Sequence, residues 1–341
     1  MGKQLHTQKP PTAKSEMPPL RALLQRSGLP ADSLCQELPT GFPNRVFHVR
    51  SSAGDFALKW YGQQRGATAR FLTEQAFYEL LRPFASQRLP EPLLWHASER
   101  FALFKWVDGV RLTRDDLQTP LCADLLAFLS ALNRARPAAA GRAFPPAAGA
   151  CFSLHERLEA VGRLVQQTVS GLAIGKFAKG LTTRLEPAWQ LVSQVVLQRA
   201  EKAGLNPEQT VPLQSRMLSA PDWGLHQALR TSSGHLVFFD FDGAGWDDPA
   251  WWLAGVFSQW ELPLPLNLWE AFVPAAVRLL GAESATLQRT ALLLPVSRFQ
   301  QICPPLLQAP QPAPPAAARR QTRQAADAAL HDLAHPQWWR G

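Results

Sequence analysis

Four side chains carry most of the reactive potential of this chain: Lys59, Asp222, Gln227 and Asp240. Asp222 follows Pro221 and precedes Trp223-Gly224 within the stretch SAPDWGLHQALR. Proline restricts the residue before it and glycine permits unusual backbone angles, so Asp222 is expected on a shaped loop. A carboxylate there can accept the proton of an attacking hydroxyl, and an amide oxygen a turn later, at Gln227, can ligate magnesium. Asp240 ends the apolar run LVFFDF. Burying an isolated carboxylate there is costly, so a cation is expected beside it. Lys59 is the sole lysine between Ser15 and Phe104 and lies in the apolar strand FALKWY. It offers one compact positive charge to a phosphate, and Glu74 on the following helix is its candidate partner. Taken singly, each has a plainer role: Lys59 could snorkel from an edge strand, Asp222 could form a turn, and Asp240 could cap a strand beside Gly243 and Gly245.

The elements that must position these groups fall into two regions. Residues 1–19 read as a disordered leader rich in Pro, Lys, Thr and Gln. LRALLQRSGL then predicts a short amphipathic helix. NRVFHVR, SSAG and DFALKWY predict a hairpin with Val46, His48 and Arg50 on one face and Phe47 and Val49 on the other. ATARFLTEQAFYELLR has helical spacing and is expected to stop before Pro83. EPLLWHA and FALFKWVDG predict another strand pair, which makes the first region a small sheet carrying one helix.

Beyond Gly109 the pattern turns helical, as in DLLAFLSALNRA and the long run from Leu154 to Ala203. The segment Met217 to Phe241 is the exception, where turn, strand and carboxylates coincide. The Pro/Ala-rich stretch PPLLQAPQPAPPAAARR predicts an extended connector before a last short helix. The expected divisions are a leader at 1–19, an N-terminal lobe at 20–105, a C-terminal lobe at 106–303, and a connector with terminal helix at 304–341.

Composition narrows the class further. The 341 residues are 46% hydrophobic and 18% charged, the balance of a globular protein. The formal charge of +8 is scattered rather than gathered into a basic stripe, so nucleic acid is not an expected partner. Cys35, Cys122, Cys151 and Cys303 are too far apart for a zinc motif or a disulfide framework, and reduced thiols in a cytoplasmic protein are expected. No apolar run is long enough to predict a membrane span. GLAIGKF has a Gly-Lys pair, but its spacing is too short for a Walker loop and Phe177 replaces the needed hydroxyl.

Four segments in order, FALKWY, TEQAFYELL, DWGLHQAL and VFFDFDGAGWDDPAWWLA, resemble the aminoglycoside phosphotransferase-type kinases of the protein-kinase-like superfamily. The resemblance spans residues from about 40 to 300 and implies an α+β, two-lobed fold that binds ATP and Mg2+. It implies adenine near Leu103 to Gly109, with Phe104 and Trp106 as nucleotide contacts. Lys59 would touch the α and β phosphates, Glu74 would hold Lys59, Asp222 would be the catalytic base, and Gln227 and Asp240 would bind magnesium.

Gln227 stands where the family has Asn, one methylene shorter. Trp252 stands where a supporting Asp often follows the Asp-Pro pair, SAPD replaces a histidine-rich lead-in, and only Gly41 marks the expected phosphate-covering loop. The leading expectation is phosphorylation of a hydroxyl on a small molecule such as a sugar, sugar phosphate or amino-alcohol-like acceptor. Ser153 to Leu185 carries more basic than acidic side chains, which favours a neutral or anionic acceptor. The alternative is a pseudokinase that binds nucleotide or a protein partner without phosphoryl transfer, a reading motivated by Gln227 and Trp252.

Overall fold

The computed structural model describes residues 20–39, 44–173, 179–220, 224–282 and 284–308. Asp222, the leader, Gly41, residues 174–178 of the GLAIGKF segment and the C-terminal stretch from 309 lie outside the described residues. The chain divides into two compact units, Met1–Gln75 with Pro90–Trp106, and Ala76–Leu89 with Val107–Gly341.

In the first unit, α1 (Leu20–Arg26), β1 (Leu34–Glu37), β2 (Arg45–Ser51) and β3 (Gly54–Trp60) precede α2 (Ala67–Ala85), which belongs to this unit as far as Gln75 and to the second from Ala76. β4 (Pro92–His96) and β5 (Phe101–Lys105) follow. The five strands form one antiparallel sheet in the order β1-β2-β3-β5-β4. Period-two alternation divides its side chains. Phe47, Val49, Leu58, Trp60, Phe101 and Leu103 cluster with Leu23, Leu24 and Leu29 of α1 and the turn after it. Val46, Ala57, Lys59, Ala102 and Phe104 therefore point to the opposite face, as their registers require.

Two local expectations are corrected. Helix α2 does not stop before Pro83 but continues to Ala85. Proline forfeits only its own N–H bond, and in a last turn held by buried Leu80, Leu81 and Ala85 that loss is small beside the burial. β1 was not foreseen, because LCQE has no alternating apolar pattern. It is an edge strand created by pairing, with Cys35 opposite Val49, and its Leu34 is exposed.

The second unit opens with β6 (Gly109–Arg111), followed by α3 (Thr119–Gly141), α4 (Leu154–Ala173) and α5 (Lys179–Lys202). β7 (Met217–Ser219), β8 (Ala228–Thr231), β9 (Leu236–Phe238) and β10 (Gly245–Asp247) come next. The unit closes with α6 (Pro249–Ser258), α7 (Trp269–Leu280) and α8 (Ser284–Gln308). The helical run expected from Leu154 to Ala203 is α4 and α5, and α8 continues past the connector boundary expected at 304.

Two small sheets bear on function. β6, β8 and β9 form a three-stranded antiparallel sheet in the order β6-β8-β9, and β7 pairs with β10 in a two-stranded sheet. Phe128 of α3 stacks on Phe238 of β9 with ring centroids 4.4 Å apart, and Phe241 packs 5.0 Å from Phe77. These aromatic contacts hold the chain on both sides of Asp240.

Candidate active site

In the first unit, Lys59 Nζ lies 2.5 Å from Glu74 Oε2. The same oxygen accepts the Tyr61 hydroxyl at 2.7 Å. Both charged side chains are almost fully removed from solvent, at 8% and 1% exposure. Burying two charges is repaid only when geometry is good and further hydrogen bonds are made, and Tyr61 makes one of them. The Lys59 ammonium also sits 5.0 Å from the centre of the Tyr61 ring. Tyr61 carries no signal in the sequence alone, because only the fold brings its hydroxyl to Glu74.

Small side chains surround Lys59 on its face of the sheet. Val46 and Ala102 are its cross-strand neighbours, and Ala57 is two residues before it. That leaves a low apolar floor beside one positive charge, which suits a flat base joined to phosphates. Phe104 is buried, lies opposite Ala57 and packs edge-on against Trp95 at 5.4 Å. Trp106 stacks on His48, with centroids 3.7 Å apart and planes 12° from parallel. His48 is fixed by Asp55, and the Trp106 amide donates to the Asp55 carbonyl at 3.1 Å.

In the second unit, Asp240 follows β9 with φ of 70°, a left-handed conformation uncommon for a residue with a side chain. Such strain persists only where surrounding packing imposes it, and buried Phe241 supplies that packing. Gln227 Nε2 donates to Asp240 Oδ2 at 3.3 Å. A carboxylate can only accept, so the amide nitrogen faces it and the amide oxygen is left over. That oxygen, Gln227 Oε1, is buried and has no hydrogen-bond partner. The extra methylene of Gln227 thus folds its amide onto Asp240. A carboxylate beside an unspent amide oxygen is a hard donor set that fits magnesium, which commonly takes one or two protein carboxylates and completes its shell with phosphate and water. Among the described residues no cluster of three or more His, Cys, Asp or Glu side chains could hold a metal by themselves.

The ends of the segment around Asp222 are firmly held. On the N-terminal side Ser219 pairs with Gly245. On the C-terminal side Leu225–Gln227 form a 3-10 turn, whose Gln227 carbonyl accepts the Phe239 amide at 3.1 Å. Gln259, buried on the far side, bonds His226 at 2.9 Å and lies against Gly224. A Cβ added to Gly224 would fall 1.8 Å from the Gln259 amide nitrogen. Gly224→Ala is therefore expected to push the Gln259 amide off His226 and to cost about 0.5–1.5 kcal/mol, the worth of that hydrogen bond, read as a lower melting temperature.

Two adjacent buried carboxylates follow. Asp248 caps α6 by accepting the Ala250 amide at 3.0 Å and pairs with Arg289 at 2.5 Å. Burial pushes its pKa above the ordinary value, against the pull of Arg289. Asp247 accepts the Ser219 hydroxyl at 3.1 Å and the Asp248 amide at 2.8 Å. Burial pushes its pKa up to about 6, opposed chiefly by Arg157. Trp252 is buried in α6, 6.4 Å from the Phe272 ring, and adds no carboxylate. Within α4 the charges balance, Arg157 and Arg163 against Glu156 and Glu159, so the basic excess of the 153–185 stretch comes from Lys176, Lys179 and Arg184 beyond that helix.

The structure thus joins Lys59 to Glu74 and Gln227 to Asp240, and it places Phe104 and Trp106 at the end of β5. Comparisons with known proteins agree with the fold. Spectinomycin phosphotransferase APH(9)-Ia, solved with ADP and spectinomycin, superposes with a TM-score of 0.59 at 11% identity, covering 94% of this chain and 98% of that one. The choline kinase LicA from Streptococcus pneumoniae gives 0.56 at 13% identity, covering 92% and 99%. An ethanolamine kinase from Plasmodium vivax gives 0.55 at 12%, covering 90% and 82%. No curated protein matches at the level of sequence. The architecture is a two-lobed, protein-kinase-like α+β fold, and no helix among the described residues is long and apolar enough to cross a membrane. The model of the phosphotransferase enzyme family matches residues 35–207, half of the chain, and the protein belongs to that family.

Proposed function

We propose that the protein transfers phosphate from magnesium-ATP to a hydroxyl of a small molecule, a sugar, sugar phosphate or amino-alcohol-like acceptor. The observation that carries this reading is the buried Lys59–Glu74 pair at 2.5 Å, set beside a floor of small apolar side chains. A pair so costly to bury is best explained by a ligand that needs the ammonium held in place. In this reading residues 20–105 bind nucleotide and 106–303 carry catalysis and acceptor binding. The adenine lies near Leu103 to Gly109, with Phe104 and Trp106 beside it.

Lys59 holds the α and β phosphate oxygens, and Glu74 with Tyr61 keeps its ammonium from swinging away. Asp240 and Gln227 hold magnesium, which when bound neutralises phosphate charge. Asp222 takes the proton of the acceptor hydroxyl as its oxygen bonds to phosphorus and ADP departs. The choline and ethanolamine kinases and the spectinomycin phosphotransferase of similar fold support including amino alcohols in the acceptor panel.

The test is incubation of purified protein with labelled ATP, magnesium and a panel of sugars, sugar phosphates and amino alcohols. Transfer to one acceptor class is expected. Magnesium-ATP at about a hundred times its dissociation constant should add ~2.7 kcal/mol of stability. No thermal shift with magnesium-ATP would overturn nucleotide use altogether. Binding without turnover, with Gln227→Asn restoring turnover, would establish the pseudokinase alternative.

A further inference from the structure

We propose that Asp247 is the positioning residue for the segment that carries Asp222, acting through its hydrogen bond to Ser219; the role rests on the phosphotransfer reading above. Ser219 lies three residues before Asp222 and is the last residue of β7. β7 pairs with β10, and their ladder runs Met217 to Asp247, Leu218 to Trp246 and Ser219 to Gly245. Among the described residues this ladder ends at Ser219, and the side-chain bond from Ser219 Oγ to Asp247 Oδ2 at 3.1 Å adds a second tie at that point.

β10 is a firm anchor for this tie. Its other edge is occupied by residues 145–147, whose backbone comes so close to Gly245 that an added Cβ would lie 2.4 Å from the Pro145 carbonyl oxygen. Asp247 is itself oriented from both sides. Its Oδ1 accepts the Asp248 amide at 2.8 Å, which leaves Oδ2 for Ser219. Arg157 of α4 lies 3.9 Å away, stacked over Trp251 and bonded to the Gly149 carbonyl at 3.3 Å. The charged and titratable groups facing Asp247 are Arg157, Asp248 and Cys151.

Keeping this carboxylate buried is costly. Its burial raises the pKa to about 6, so the surroundings on balance disfavour the charged form. Retaining the charge makes sense if an acceptor-only oxygen is needed to fix Ser219, since ionised Asp247 cannot turn donor and release it. Trp252, one turn along the same region, cannot serve as such an acceptor because indole only donates.

The test is Asp247→Asn and, as a milder change, Ser219→Ala, each in the full chain. Both are expected to lower kcat at least tenfold while KM for ATP and for the acceptor stays within about twofold. In the wild type, kcat should fall as the pH drops through about 6, and Asp247→Asn should abolish that limb. Because Asp247→Asn also takes the counter-ion from buried Arg157, a lower melting temperature is expected of it, and the readouts that a merely structural carboxylate would not move are the kcat loss at constant KM and the acid limb.

The proposal is overturned if either variant keeps kcat within twofold, or if Asp247→Asn retains the acid limb. Should the wild type transfer no phosphate, the functional reading fails, and amide hydrogen exchange decides the positioning role separately. Faster exchange at residues 217–220 in both variants, with α4 and α6 still protected, supports the tie, and unchanged exchange there overturns it.

Discussion

Asp222→Asn is expected to lower kcat by about 10²–10⁴-fold, the range for loss of a positioned general base. The exchange preserves size and hydrogen-bonding reach and removes only the ability to take a proton. Both flanks of the residue are anchored independently of it, by the β7–β10 ladder on one side and by Gln259 against Gly224 and His226 on the other. Folding should therefore be unaffected, and thermal stabilisation by magnesium-ATP should match that of the wild type. Steady-state kinetics beside a melting curve check both halves of the expectation. A kcat within threefold of the wild type would remove Asp222 from the role of base.

Lys59→Met should be damaging in two separable ways. The phosphate loses its fixed positive partner, a change in electrostatic stabilisation that removes roughly 10²–10³-fold of turnover at such sites. Glu74, 1% exposed, also loses its counter-ion while keeping the Tyr61 hydroxyl. Breaking one side of a buried ion pair costs about 3–5 kcal/mol. The double variant Lys59→Met with Glu74→Gln removes the uncompensated charge, so most of the stability should return while activity should not. Recovery of both together would mean that Lys59 serves the fold alone. Denaturant unfolding of the two variants, set against their turnover, distinguishes these outcomes.

The pairing of Lys59 with Glu74 was legible in one dimension. Lys59 stands alone among lysines over a long stretch, and its apolar neighbours mark a strand. Glu74 lies on a helix with clear apolar spacing, and Asp240 ends a run of buried residues. These signals survive in sequence because each reports on a residue's own surroundings: a charge amid apolar residues has to be compensated somewhere. The α2 boundary was misread for the same local reason. Proline was weighed as a stop, whereas burial of Leu81 and Ala85 carries the helix past it.

What determined the rest was contact between residues far apart in the chain. Strand β1 exists only because β2 offers it an edge, and Tyr61 joins Glu74 only once α2 lies on the sheet. The tie from Asp247 to Ser219 spans 28 positions, and that from Gln259 to His226 spans 33. Neither has a periodicity or a spacing that could announce it. Sequence alone thus marked Lys59 and Glu74 as charges in need of partners, because apolar neighbours are a local signal, and gave no such mark for buried Asp247, Asp248 or Arg157. Tertiary structure alone chose those partners, because hydrogen-bond geometry is decided by where distant segments meet.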